Sequence, residues 1–235
     1  MTLGIPRAPQ ADDDKYTRGV VGLRTGSAAY PGAAVLGVEA AWRTGVGMVR
    51  YVGPELPTRL VLQRRPETVP GAGRVQAWVV GSGTVPTPDG EADAVRGLLA
   101  GSVPVVADAG SLDLVLGAAA PLLVTPHARE HDALRARLGL AEVPFGADDD
   151  VREESALQTA RALGGAVLLK GSVTIVATPG GWRSRVAAGT PWLATAGTGD
   201  VLAGAIGALV AGQHVAGAGG REPRRAGGDA GTPTA

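Results

Sequence analysis

TAGTGDVLAG, Thr195 to Gly204, sets three glycines and two threonines around one aspartate and then runs into apolar sequence. Glycine adopts backbone angles that other residues avoid, so in a chain with 37 glycines one reading is a turn. The other is an anion site. N–H groups of Gly197, Thr198 and Gly199 would stand uncovered at a helix start, where the helix dipole also favours negative charge. Asp200 would repel a phosphate there unless it has a chemical task. Downstream, VLAGAIGALV is expected as a helix with Leu202, Ile206 and Leu209 on one face. Upstream, Val173–Ala177 and Trp182–Val186 flank TPGG and are expected as an antiparallel hairpin turning on Pro179 and two glycines. LLKGSVT, Leu168 to Thr174, ends a buried strand with Lys170 and Gly171. That is either a mobile charge and an open backbone position facing a phosphate, or a strand-end lysine in solvent.

Further upstream, short β-rich runs alternate with longer Ala/Leu segments, the pattern of a layered α/β domain. Expected strands are Gly19–Leu23, Met48–Val52, Ala77–Val80, Val103–Ala107, Leu122–Thr125 and Ala166–Leu169; most lack polar alternation, as strands buried on both faces do. Helices are expected in PGAAVLGVEAAWRTG, where Val35, Val38 and Trp42 share a face, and in VREESALQTARALGG, starting after the Asp148–Asp150 cluster. Those aspartates read as a cap and a solvated turn. From Gly212 onward the sequence has almost no large apolar residue and is expected to be disordered. The division expected is therefore a flexible arm over 1–14, one catalytic domain over 15–211 and a tail over 212–235.

Composition narrows the function. The 22 basic and 22 acidic residues cancel, which argues against nucleic acid or an anionic membrane as partner and leaves small metabolites. There is no cysteine, so disulfides, thiolate metal sites and a cysteine nucleophile are excluded. No run approaches the ~20 apolar residues of a membrane span, and the first residues carry no signal-like apolar core, so a cytoplasmic protein is expected.

HAREH, His127 to His131, matches the H-x-x-E-H pattern of inverted zinc peptidases. Pro126 places His127 in a strand-to-helix turn, out of register with His131, so the expectation is a loop histidine and a solvated helix residue, with no protein-bound metal. VVGSGT, Val79 to Thr84, is a glycine loop after a strand, where open α/β sheets place ligands, but it is not G-x-G-x-x-G. No G-x-x-x-x-G-K-[ST] occurs either.

Taken in order, PGAAVLGVEAAWRTGVGMV, VVGSG, VADAGSLDL, VTPHAREHDAL, VLLKGSVTIVA and TAGTGDVLAGAIGALVAG resemble the ADP- or ATP-dependent NAD(P)H-hydrate dehydratases, a branch of the ribokinase-like fold. The resemblance spans about Lys15 to Gly212. It implies a three-layer ribokinase-like α/β domain with a mostly parallel central sheet and a C-terminal antiparallel hairpin. It also implies repair of NADH and NADPH that have taken up water across the reduced ring: the nucleotide phosphorylates the new hydroxyl, phosphate leaves, and the cofactor is restored, with AMP and phosphate released when ADP is used. Asp200 then matches the general base, with Gly197, Thr198 and Gly199 as the anion hole. Lys170, Gly171, Ser172, Val173, Thr174 and Gly199 would line the ADP side; Ala33, Gly83, His127 and Asp200 would contact the hydrate (NADHX or NADPHX). Asp108 and Glu130 match acidic positions that could help order Mg²⁺ or water.

The chain departs from relatives in reading DAGSL for DADAL and GSGTV for GPGLG. Relatives often carry an epimerase domain ahead of this one; its absence here implies action on the S epimer alone. Relatives continue past the GTGD helix with further Ala-rich helices, where this chain has its Gly/Arg/Pro tail. They are often oligomers, which implies self-association. A ribokinase-like small-molecule kinase, or a nucleotide-binding protein impaired in turnover, is the alternative.

Overall fold

A computed structural model of the chain describes residues 8–84 and 90–218, with side chains through 213. The expected positions 1–7 of the N-terminal arm and 219–235 of the tail lie outside the described residues.

Nine strands form one sheet in the order β3-β2-β1-β4-β5-β6-β7-β8-β9. They are β1 (Val20–Arg24), β2 (Met48–Tyr51), β3 (Val69–Pro70), β4 (Ala77–Val80), β5 (Val105–Ala107), β6 (Leu122–Val124), β7 (Ala166–Leu169), β8 (Thr174–Ala177) and β9 (Arg183–Val186). β1 through β7 pair in parallel. β8 is antiparallel to β7 and to β9. The expected hairpin is present as β8 and β9, and the antiparallel part begins one strand earlier, because Lys170 to Val173 turn β7 directly back into β8.

Helices α1 (Pro31–Arg43), α2 (Glu55–Arg64) and α6 (Thr198–Ala218) cover one face of the sheet. Helices α3 (Glu91–Leu99), α4 (Ala128–Arg137) and α5 (Asp149–Leu163) cover the other. Each central strand feeds both layers, which is why its sequence is continuously apolar. Val21, Leu23 and Val79 join one core cluster, while Val20, Trp78 and Val80 join the other. The Trp78 ring lies over Gly22 of β1, where a Cβ would fall 2.5 Å from it.

Three expectations about helix bounds and packed faces are corrected. α6 runs through Ala218, so 212–218 are helical: they extend a helix whose preceding turns are already packed, so no new nucleus is needed. α6 also packs through a different face, Ala203, Gly204, Gly207, Ala208 and Ala211 being buried while Leu202, Ile206 and Leu209 are intermediate. Small residues win because the helix lies very close to its neighbours: a Cβ on Gly204 would fall 2.2 Å from Gly37 O of α1, and one on Gly207 2.1 Å from Val79 Cγ2. Third, α5 starts at Asp149, with Asp148 capping it by accepting from the Val151 amide.

β9, the edge strand, is tied by Arg183 and Arg185 to Glu153 of α5, which blunts an edge open to pairing. No helix among the described residues is long and apolar enough to cross a membrane.

His131, expected to be solvated, is 1% exposed. It sits between α4 and α5, with Nε2 2.9 Å from Thr159 Oγ1. The Thr159 hydroxyl donates to Ser155 O, so its oxygen accepts from His131 and from Arg135 Nη1 at 3.1 Å. Burial, then the Arg135 and Arg152 charges, lower the His131 pKa from 6.5 to about 4. The buried histidine is therefore neutral at pH 7, and the two histidines of HAREH do not meet on one ligand.

Two predictions follow from this packing. As pH falls from 6.5 toward 4, the unfolded chain takes up a proton that folded His131 refuses. Stability is then complete above pH 6.5 and declines toward pH 4 by up to about 3 kcal/mol. Denaturant unfolding of the wild type and His131→Leu across that range should show the loss in the former alone; parallel pH slopes would refute it. Gly204→Ala should destabilise by about 1–3 kcal/mol through its clash with the Gly37 backbone, read by the same unfolding assay.

Candidate active site

In the order β1-β4-β5-β6-β7, five parallel strands end side by side, and the residues after each converge. The order reverses between β1 and β4, the position at which open α/β sheets hold ligands. Here the Gly26 amide donates to Ser82 O at 2.7 Å and joins the loops after β1 and β4.

The first wall of the site is Ala33 against Gly83. Gly83 takes a φ of +64°, and a Cβ on it would lie 2.3 Å from Ala33 Cβ and 3.1 Å from Tyr30 O. Only glycine fits. The structure thus brings together these two residues, one from the start of α1 and one from the loop after β4.

His127 lies at the opposite end of the row, as the N-cap of α4. Its Nδ1 accepts from the Glu130 amide at 3.2 Å, while Glu130 Oε2 accepts from the His127 amide at 2.8 Å. This reciprocal capping box fixes the ring and leaves the side chain 54% exposed. With Nδ1 accepting, the proton of the uncharged ring sits on Nε2, which lies 3.5 Å from Glu130 Oε1.

Between these walls lies Asp108, directly after β5 and 3% exposed. Its Oδ1 accepts from Lys170 Nζ at 2.9 Å and Thr125 Oγ1 at 2.8 Å, and its Oδ2 from Ser82 Oγ at 2.9 Å. The lysine ammonium is also 3.8 Å from Glu130 Oε2. Following Asp108, Ala109 has a φ of +43°, the one non-glycine residue with positive φ among the described residues. Such backbone costs energy and persists where surrounding contacts over-determine it.

Lys170 opens the turn of the expected nucleotide side. Arg152 of α5 braces that turn: Nη2 donates to Val173 O at 3.0 Å, and a Cβ on Gly171 would lie 2.4 Å from the same nitrogen. Gly171 and Ser172 are exposed, whereas the Val173 side chain packs on the core. Thr174 begins β8 with its hydroxyl 3.5 Å from Gly171 O.

The glycine–aspartate loop meets this turn. A Cβ on Gly199 would lie 3.5 Å from Lys170 Nζ, and one on Gly197 4.0 Å from Asp200 Oδ2, so the lysine charge and the carboxylate flank the first turn of α6. Thr198, expected in the anion hole, is not open to it: its amide and hydroxyl both donate to Thr195 O, at 3.3 and 2.9 Å, because the chain turns there into α6. The amides of Gly197, Gly199 and Asp200 have no partner among the described residues. Three open N–H groups, a helix dipole and an ammonium form an anion-binding corner. Burial raises the Asp200 pKa, the Asp108 charge raises it further, and Lys170 opposes both.

Ser82, Thr125 and Arg152 were not identified from the sequence as site residues. For Ser82 and Thr125 the available signal was position, each standing one or two residues past a buried strand. Arg152 lies a turn into an ordinary charged helix and carried none. Among the described residues no group of three or more His, Asp or Glu could hold a metal ion.

The comparisons with known proteins fit this geometry. The NAD(P)H-hydrate dehydratase family model matches residues 21–220. A bifunctional NAD(P)H-hydrate repair enzyme of Mycobacterium tuberculosis is 47% identical over 215 residues, covering 86% of this chain and 43% of its own length. The chain thus spans less than half of such bifunctional relatives. An ADP-dependent (S)-NAD(P)H-hydrate dehydratase of Neisseria meningitidis is 32% identical over 228 residues, covering 87% of this chain and 73% of its own. Among solved structures, the ADP/ATP-dependent NAD(P)H-hydrate dehydratase of Bacillus subtilis, co-crystallized with ATP/Mg²⁺, superposes with a TM-score of 0.77 at 28% identity, covering 91% of this chain and 81% of that one. The mostly parallel sheet with its antiparallel β7–β9 end is the ribokinase-like fold expected from the sequence. With the match extending over nearly the whole described chain, the protein belongs to the NAD(P)H-hydrate dehydratase family.

Proposed function

We propose that this chain catalyses the nucleotide-dependent dehydration of the S epimer of NADHX and NADPHX, with ADP as phosphoryl donor. The observation that carries the reading is the corner where Asp200, the open amides of α6 and Lys170 meet. A hydroxyl facing Asp200 would give up its proton to that carboxylate as its oxygen takes the terminal phosphoryl group of ADP. AMP leaves. The Gly197, Gly199 and Asp200 amides would hold the phosphoryl oxygens, and Lys170 would balance their charge without itself bonding covalently. Loss of phosphate from the new ester, with release of a proton from the adjacent ring carbon, then restores the ring double bond of the reduced cofactor.

Lys170 to Thr174 would hold the nucleotide through the backbone of an Arg152-braced turn. Ala33, Gly83 and His127 would enclose the hydrate, His127 through the exposed part of its ring. Magnesium belongs to the proposal as the ion carried by the nucleotide phosphates, where it keeps several waters and needs only one or two carboxylates. Glu130, with a side chain 24% exposed beside Lys170, would contact its water shell. When bound, the ion would neutralise charge developing on the phosphates. Asp108 does not suit that task, since Ser82, Thr125 and Lys170 occupy its oxygens. Self-association is part of the same reading, supported by the half-buried Leu168 and Val176 on the sheet face opposite α5.

The deciding assay is recovery of reduced-nicotinamide absorbance after protein, Mg²⁺ and ADP are added to a mixture of NADH-hydrate epimers, with ATP and no-nucleotide controls. Recovery should require nucleotide and stop when one epimer is spent; accumulation of a stable phosphorylated product would assign the chain to kinase chemistry instead. Asp200→Asn should lower kcat by about 10²–10⁴-fold while ADP still binds.

The pH dependence has a definite sign. Asp200 acts as base only when ionised, and its pKa lies above the usual 3.8. The acid limb of kcat/KM should therefore fall at a pH above the ordinary aspartate range, and an acid limb at or below 3.8 would contradict the assignment.

A further inference from the structure

We propose that Asp108 is the positioning residue that holds the Lys170 ammonium over the first turn of α6, with Ser82 and Thr125 anchoring its carboxylate. The inference rests on the nucleotide site just described.

Its basis is the alignment of four neighbouring strands. β4, β5, β6 and β7 run parallel in that order, and Ser82, Asp108, Thr125 and Lys170 stand just past their ends. Three hydrogen bonds meet on one carboxylate that is 3% exposed. A buried ion pair gains little unless its remaining hydrogen-bonding positions are also satisfied, and here two hydroxyls satisfy them. Directly after Asp108 the backbone turns through Ala109 at a φ of +43°, a conformation that costs energy and persists where surrounding contacts over-determine it.

Lysine has a flexible four-carbon stem and a point charge, so on its own it does not hold one direction. Asp108 takes one of the three ammonium protons at 2.9 Å and leaves two for a phosphate at Gly199. The second nearby anion, Glu130 at 3.8 Å, is tied to the His127 amide and does not substitute for it. Ser82 supplies the donor to Asp108 Oδ2, which the proline of the GPGLG wording would not. Buried and engaged by three donors, Asp108 would act on the nucleotide through Lys170.

The test is calorimetric titration of Mg²⁺ and ADP into the full chain and into Asp108→Asn, Lys170→Met and the double variant. Loss of a charge-assisted contact should weaken ADP by roughly tenfold or more in each single variant. The double variant should bind no more weakly than Lys170→Met, because Asp108 has nothing to position once the ammonium is gone. Additive losses, or wild-type affinity in Asp108→Asn, would overturn the inference while leaving the dehydratase reading intact. Failure of the unaltered chain to bind ADP would overturn both. Thr125→Val removes one anchor with little change in volume and serves if Asp108→Asn does not fold. It should raise KM for ADP several-fold and leave KM for the hydrate unchanged; equal changes in both would point to a general structural role.

Discussion

The close seat of α6 against α1 and the sheet is the constraint on which the rest of the structure depends. Gly204 meets Gly37 O, and Gly207 meets Val79, at distances that leave no room for a Cβ. Farther along, the Ala211 backbone reaches Gly19 at the opposite end of β1. These contacts place the helix along β1 and β4 with its N-terminus above their C-terminal ends. Three open amides and Asp200 therefore arrive at the strand ends by packing, and a larger residue on that face would lift them away.

Against that frame, the site is an arrangement of charges that offset one another. Lys170 lies between Asp108 and Glu130 and beside the first turn of α6. Asp200 feels burial and the negative charge of Asp108, and both favour its protonated form. Removing water strengthens all these interactions, so the hydroxyls of Ser82 and Thr125 are needed to keep the buried carboxylate satisfied. The His131–Arg135–Thr159 group shows the same satisfaction of buried polar atoms used for another purpose. It joins α4 to α5 behind the site, and it contributes packing and an acid-sensitive contact.

The strands were legible in the sequence because each was a short apolar run with both faces covered, and the hairpin because TPGG is turn chemistry at fixed spacing. The glycine–aspartate loop and the lysine–glycine turn were legible for a related reason: backbone approach to an anion requires glycine, and glycines at such spacing stand out. The packed face of α6 was misread, since large apolar residues ordinarily mark the buried stripe and here close approach reserves it for alanine and glycine. His131 was misread because nothing in HAREH reveals the Thr159 hydroxyl, which lies 28 residues away. Composition alone also misjudged 212–218, where helix continues from the packed turns before it.

What the sequence determined by itself is whatever depends on local spacing: the alternation of strands and helices, the turn residues, the family, and the identity of Asp200 and Lys170 as candidates. Tertiary structure alone decided which side chains act as a unit. Ser82, Thr125 and Lys170 are up to 62 residues from the Asp108 carboxylate they share, and only parallel strand order brings them together. Distance along the chain carries no information about that meeting, because hydrogen bonds and charge depend on separation in space.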